Sequence, residues 1–170
     1  RAQLDQSTDQ SIDTLMLRAR ALQSDHKFAQ AKELLTQILE QEATHPDALL
    51  TLSSLLVVQG QFKDALSYCN KLDDPELRVY KLACQSQIQS MTGQLEQAKQ
   101  TLSGLAAIAP GLDASTARWI YLMQADAALR SQDTSLTNQI FSVMDDQTVP
   151  ALMARADWLL SIGEYEKVRD

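Results

Sequence analysis

Two cysteines and two histidines are the side chains of this sequence with the widest range of chemistry. Cys69 and Cys84 are too few for a disulfide scaffold, and their spacing is not that of a metal site. His26 and His45 have no second histidine or cysteine at ligand spacing, whereas a structural zinc ion needs four ligands. We therefore expect no metal ion and no cofactor.

The two cysteines are predicted to be buried free thiols. Cys69 lies on the apolar face of one predicted helix, and Cys84 lies in an apolar stripe at helical spacing on the next. Adjacent helices could bring the two sulfur atoms near one another, but a free cysteine behaves as a small apolar residue. Lys81, one turn before Cys84, is weak support for a reactive thiolate. Whether Cys84 faces the core or a groove is left open.

The remaining polar residues form no recognisable catalytic site. The sequence contains no nucleophile–base motif and no phosphate-binding glycine loop, so an enzyme is not expected. Its 15 basic and 22 acidic side chains give a net charge of -7, which disfavours nucleic acid as a partner. No apolar run approaches the ~20 residues of a membrane helix, so membrane insertion is not expected either.

The composition and the first residues of the sequence limit the class of protein that we expect. Of 170 residues, 45% are hydrophobic and 22% are charged, as in an ordinary soluble globular protein. The sequence starts at Arg1 without a methionine or a signal-like apolar stretch, so we expect a processed product or a piece of a longer protein. Bacterial cytoplasm and periplasm are both compatible with this composition.

Prolines and glycines divide the chain into pairs of predicted helices. The four prolines are Pro46, Pro75, Pro110 and Pro150. Proline suits the first turn of a helix, where its missing N–H has no partner to lose. Between and after the prolines, Gly60, Gly93 and Gly163 interrupt patterns with helical spacing. Each segment therefore reads as a helix, a tight turn and a second helix.

The turn regions are copies of one another. Residues 60–65, 93–98 and 163–168 share a glycine, a large apolar residue two positions later and a small or branched apolar residue at the end. Residues 26–31 are a copy without glycine, and Phe28 lies 34 residues before the equivalent Phe62. Residues 132–137 are a degraded copy. A period of this length predicts an all-α fold of repeated helical pairs.

These residues resemble the tetratricopeptide repeat family, which has a small residue in its first helix, a glycine–aromatic turn, an alanine and a junction proline. The second repeat carries this pattern through Ser53, Gly60, Phe62, Ala65 and Pro75. The resemblance implies a right-handed superhelical solenoid of about five repeats over residues 12–170, the last incomplete, after a polar extension at 1–11. The third repeat departs from the pattern, because Gln85 and Gln89 occupy positions that are normally apolar.

In this family the first helices form a concave groove, so the resemblance implies a groove here. The predicted groove residues are Met16, Leu17, Arg20, Leu50, Ser54, Tyr80, Gln87, Met91, Tyr121, Leu122, Met153 and Asp157. Asp13, Thr51, Val57, Cys84 and Ala125 lie on the same predicted face. Methionine and tyrosine suit a surface that binds a peptide or helix. The alternative is that several of these side chains pack between neighbouring helices.

The expected function is that of a non-catalytic scaffold that binds a peptide or helix of a protein partner in an apolar groove. One class in the family clamps acidic chaperone tails with basic and amide side chains. The matching positions here hold Met16, Arg20, Thr51, Tyr80 and Cys84, with a single cation, so such a clamp is not expected. The alternative function is a structural segment of a larger assembly that forms homodimers through its uncapped C-terminal repeat.

Overall fold

A computed structural model describes residues 10–144, 148–164 and 166–169 of the chain. Within these ranges the regular secondary structure is helical and contains no strand. The α-helices are α1 (Ile12–Ser24), α2 (Phe28–Gln41), α3 (Pro46–Val58), α4 (Phe62–Asn70), α5 (Arg78–Met91), α6 (Leu95–Ile108), α7 (Ala114–Arg130), α8 (Thr134–Val143), α9 (Val149–Ser161) and α10 (Glu166–Arg169). Short 3-10 helices cover Pro75–Leu77 and Ala109–Gly111. Most of the predicted extension, residues 1–9, and Tyr165 of the last turn copy lie outside the described residues.

A residue in the left-handed backbone conformation separates the two helices of each pair. These residues are His26, Gly60, Gly93, Gln132 and Gly163, with φ between 56° and 85°. Each stands at the first position of a copy found in the sequence. Gln132 opens the degraded copy, which is therefore a turn between α7 and α8 like the others.

Side-chain caps and prolines begin several of the helices. Pro46 occupies the first turn of α3, and the His45 ring nitrogen Nδ1 accepts a hydrogen bond from the Ala48 N–H at 3.3 Å. Asp113 accepts hydrogen bonds from the backbone N–H groups of Ser115 and Thr116 in α7, and Asp133 accepts one from the Leu136 N–H in α8. These acceptors satisfy N–H groups that have no partner inside a helix.

The described residues form two compact units, and the first ends at Ile88. Helices α1 and α2 pair, α3 and α4 pair, and α2 also packs against α3. Leu35, Ile38 and Leu52 are fully buried in a common apolar cluster. Ala31 and Ala65 occupy the equivalent small positions of α2 and α4, where they let each second helix approach its first helix closely.

The second unit begins at Gln89. Helix α7 packs against α6, α8 and α9, so it is the central helix of this unit. Its alanines, Ala125 and Ala128, join an apolar cluster with Phe141 and Trp158, whose rings lie 5.5 Å apart. Each unit thus buries the apolar faces of several helices in one shared cluster.

The prediction that the cysteines are free is wrong, because Cys69 and Cys84 form a disulfide. Their Cα atoms are 5.8 Å apart, and Cys84 is 4% exposed, which places it in the core rather than in a groove. The chain reverses direction between α4 and α5, so two residues on apolar helix faces meet across one seam. The Lys81 amine contacts Asp73 and the Asn70 carbonyl, so it does not serve as a thiol activator.

A glycine in a left-handed turn and a glycine inside a helix make a matched pair of substitutions in the second unit. Gly93 has φ of +85°, whereas Gly104 lies within α6, and an added Cβ meets no atom at either site. Gly93→Ala should destabilise the fold by about 1–2 kcal/mol through backbone strain. Gly104→Ala should stabilise it by about 0.5–1 kcal/mol by favouring the helix. Urea unfolding followed by circular dichroism measures both, and shifts of the same sign would contradict this assignment of the turn.

Candidate functional site

A surface pocket of about 300 Å³ lies in the first unit, where α1 passes the start of α3. The residues that line it are Asp13, Met16, Leu17, Arg20, His45 and Asp47. The first four are spaced three and four apart on α1, so one face of that helix forms a wall of the pocket. The structure thus brings together the predicted groove residues of the first helix.

The pocket combines an apolar wall with charged groups in solvent. Leu17 is 57% exposed, whereas the neighbouring Met16 is almost fully buried. The Arg20 guanidinium donates a hydrogen bond to the Asp47 carboxylate at 2.8 Å, and both side chains are largely exposed, so solvent screens this ion pair. With Asp13 there are two carboxylates to one guanidinium, which gives the pocket a net negative charge.

His45 is held in one orientation at the rim of this pocket. Its Nδ1 atom accepts the hydrogen bond from Ala48, so in the neutral ring the proton is on Nε2. The ring therefore offers a donor to a ligand.

The other predicted groove residues of the first unit are half-buried. Leu50 packs against the apolar cluster, and Ser54, Tyr80 and Gln87 are partly covered. Val57, on the same predicted face, is buried in the cluster. The predicted groove face of α3 is therefore partly exposed to solvent and partly buried in the core.

Some of the predicted groove residues of the second unit are packed against its core, and others are exposed. Tyr121 and Leu122 pack against the apolar cluster of that unit. Met91 and Asp157 are exposed, and Met153 is 63% exposed.

Sequence reasoning missed a larger pocket of about 520 Å³ in the second unit. Its lining residues are Ala128, Leu129, Gln132, Asp133, Thr134, Thr137, Trp158, Ser161 and Ile162. It lies beside the turn between α7 and α8, and residues of α9 form another part of its wall. No motif indicates it, because its walls come from separate segments and the turn copy there is degraded.

An ion pair lies at the edge of this second pocket. The Lys99 amine of α6 contacts the Asp133 carboxylate at 3.0 Å, and both side chains are partly buried. The Leu136 N–H and then Lys99 hold the pKa of Asp133 below its ordinary value. The hydrogen bond to Asp133 raises the pKa of Lys99. The pair links α6 to the start of α8.

The described part of the chain contains no group of three or more histidine, cysteine, aspartate or glutamate side chains placed to hold a metal ion. Among the same residues, no helix has both the length and the apolar character needed to cross a bilayer.

A model of the tetratricopeptide repeat family matches residues 22–82, from the end of α1 into α5. This segment is thus similar to tetratricopeptide repeats. The predicted all-α fold of stacked helix–turn–helix repeats is confirmed by this match and by similar solved structures. Repeats of this family generally mediate protein–protein interaction. A comparison with curated proteins gives no match.

The similar solved structures are themselves tetratricopeptide-like repeat proteins. The nearly identical repeats assigned to a kinesin light chain of Podosopora anserina have a TM-score of 0.62 and 16% identity, covering 96% of this chain and 92% of that one. A variant of that protein gives the same TM-score. A tetratricopeptide repeat protein of Parabacteroides merdae has a TM-score of 0.55 and 17% identity, covering 94% of this chain and 63% of that one. At these identities the likeness concerns the fold alone.

The Asp133 carboxylate should make the stability of the second unit depend on pH. Because its pKa is lowered in the folded state, its contribution is present above the ordinary aspartate pKa near 3.8 and is lost as the pH falls through the folded value. Asp133→Asn keeps an acceptor for the Leu136 N–H but removes the charge that Lys99 contacts. The urea midpoints of wild type and Asp133→Asn should therefore differ at pH 6 and converge toward pH 3.

The matched control is Asp133→Ala, which removes the cap as well as the charge. It should be less stable than Asp133→Asn at both pH values. A difference between wild type and Asp133→Asn that does not change with pH would contradict the role given to the ion pair.

Proposed function

We propose that this chain is a non-catalytic scaffold that holds a peptide or helix of a protein partner against the first-helix face of its first unit. The pocket beside α1 supports this proposal most directly. Four residues of one helix face line it, and an exposed leucine stands beside charged side chains. Such a surface gives a partner both apolar area and fixed polar contacts.

The charge of the pocket indicates what kind of segment it takes. Asp13 and Asp47 outnumber Arg20, and the whole chain has a net charge of -7. A lysine or arginine beside an apolar side chain would contact the carboxylates while its neighbour packs on Leu17. The overall negative charge would also raise the association rate of a basic segment.

A displayed library of random peptides tests this proposal, because selection from it does not depend on the identity of the partner. Peptides selected on the wild-type chain should be enriched in an apolar residue next to lysine or arginine. Leu17→Glu should weaken their binding by at least about tenfold, because it replaces the apolar contact with a charged carboxylate. Fluorescence polarisation with a selected peptide measures the change.

The matched control is Val58→Glu, which places the same charge at another exposed apolar residue of the first unit. Val58 is 67% exposed at the end of α3 and does not line the pocket. Binding should be unchanged in this variant. Equal losses in the two variants, or no loss in Leu17→Glu with its fold intact, would contradict the proposed binding surface.

Self-association through the C-terminal repeat is a second candidate function, favoured by helix α9. Val149, Leu152, Met153 and Leu160 of this helix are exposed, and their spacing places them along one side of it. A second copy of the chain could cover this apolar stripe by presenting the same surface.

Light scattering over a range of protein concentrations tests this candidate. The wild-type chain should form dimers as its concentration rises, and Met153→Glu should remain monomeric, because the charge would be buried in the contact. Leu17→Glu is the control and should dimerise like the wild type. A wild-type chain that stays monomeric at every concentration, or a Met153→Glu variant that still dimerises, would exclude this role for α9.

A further inference from the structure

We infer that the disulfide between Cys69 and Cys84 is a structural bond that anchors α5 to the first unit, and that this chain folds and works in an oxidising compartment. The bond joins the last turns of α4 to the first half of α5 and spans 15 residues of sequence.

Helix α5 buries few large apolar side chains, so a covalent bond adds to its attachment. Cys84 and Ile88 are its contributions to the apolar cluster of the first unit. Ser86 is buried as well. Beside Cys84, helix α5 buries the small Ala83 and one large apolar side chain, Ile88.

The surroundings of α5 on this side are polar too. The Gln85 amide donates a hydrogen bond to the Asn70 side chain at 2.8 Å, on the seam that the disulfide crosses. Gln85 stands where the family pattern has an apolar residue. A covalent bond at this seam compensates for the missing apolar contact.

Ser53 of α3 contacts the disulfide in the interior of the first unit. Its hydroxyl lies 3.2 Å from the sulfur atom of each cysteine. A disulfide sulfur has no hydrogen to donate, so the Ser53 hydroxyl is the donor in this cluster, and the Ala65 carbonyl oxygen at 3.1 Å is its strongest acceptor. The small serine gives the two sulfur atoms room against α3 while its own polar group is satisfied.

Burial makes this disulfide a permanent bond rather than an exchangeable one. Cys69 is fully buried and Cys84 is 4% exposed. Thiol exchange requires a thiolate to reach one of the sulfur atoms, so the first half of α5 must move away before reduction can occur. A bond with this accessibility is made while the chain folds and then persists.

The formation of this bond identifies the kind of compartment. Two thiols lose two protons and two electrons as the S–S bond forms, and the disulfide of a thiol oxidoreductase accepts them and becomes a dithiol. Disulfides persist in the periplasm, the secretory pathway and the extracellular space, whereas cytosolic reductants keep thiols reduced. Of the two compartments compatible with the sequence, the disulfide favours the periplasm.

The first test determines the state of the two cysteines in the source cell. Cells are quenched with acid and free thiols are alkylated under denaturing conditions before digestion and mass spectrometry. Most of the protein molecules should yield a Cys69 peptide and a Cys84 peptide that are joined by the disulfide and not alkylated. Recovery of both cysteines mainly as alkylated thiols would overturn the inference about the compartment.

The second test asks whether the bond anchors α5, and it uses the unmodified chain in its oxidised and reduced states. Hydrogen exchange should become at least about tenfold faster for the amides of residues 78–88 after reduction, because a loop of this size contributes strongly to stability. Amides of α1 and α2 are the internal control and should change less. A Cys69→Ala/Cys84→Ala variant should behave like the reduced chain. Equal exchange of residues 78–88 in both states would overturn the anchoring role.

Discussion

A pair of short helices cannot bury its apolar face alone, and this constraint governs the whole structure. Helix α3 contacts α4 in its own pair and α2 beyond it, and α7 contacts α6, α8 and α9. Contacts with neighbouring helices therefore supply much of the free energy that keeps any one pair folded. Small residues such as Ala31 and Ala65 allow the close approach that this sharing requires.

The turns were predictable because every helix pair requires a left-handed backbone conformation at the same position. A residue in the left-handed conformation must end the first helix, so glycine recurs at Gly60, Gly93 and Gly163. Where His26 or Gln132 replaces glycine, the period still located the turn. Helical spacing of apolar residues supplied the rest of the fold, since each second helix presents one apolar face.

The groove was harder to predict, because helical spacing identifies a face but not what covers it. Leu17 and Met16 are adjacent in sequence, yet one is exposed and the other buried. Tyr121 and Leu122 lie on a predicted groove face and pack against the core of their unit. The angle at which neighbouring helices cross decides such cases, and it depends on residues distant in sequence. The disulfide was missed for the same reason: the distance between Cys69 and Cys84 is a property of two packed helices.

The proposed binding surface and the disulfide both follow from the shared packing. The exposed part of α1 is available to a partner because its other side is buried in the first unit. In the proposed role, the disulfide attaches α5 to α4 within the first unit. Packing of α1 within the first unit leaves Leu17 on its other side exposed.

Circular dichroism of the fragment 10–41, the α1–α2 pair alone, compared with the fragment 10–88, tests this dependence on neighbours most directly. The pair alone should be largely unfolded, and the longer fragment should be helical and unfold cooperatively. A fragment 10–41 that is as helical per residue as 10–88, with its own cooperative transition, would contradict the account.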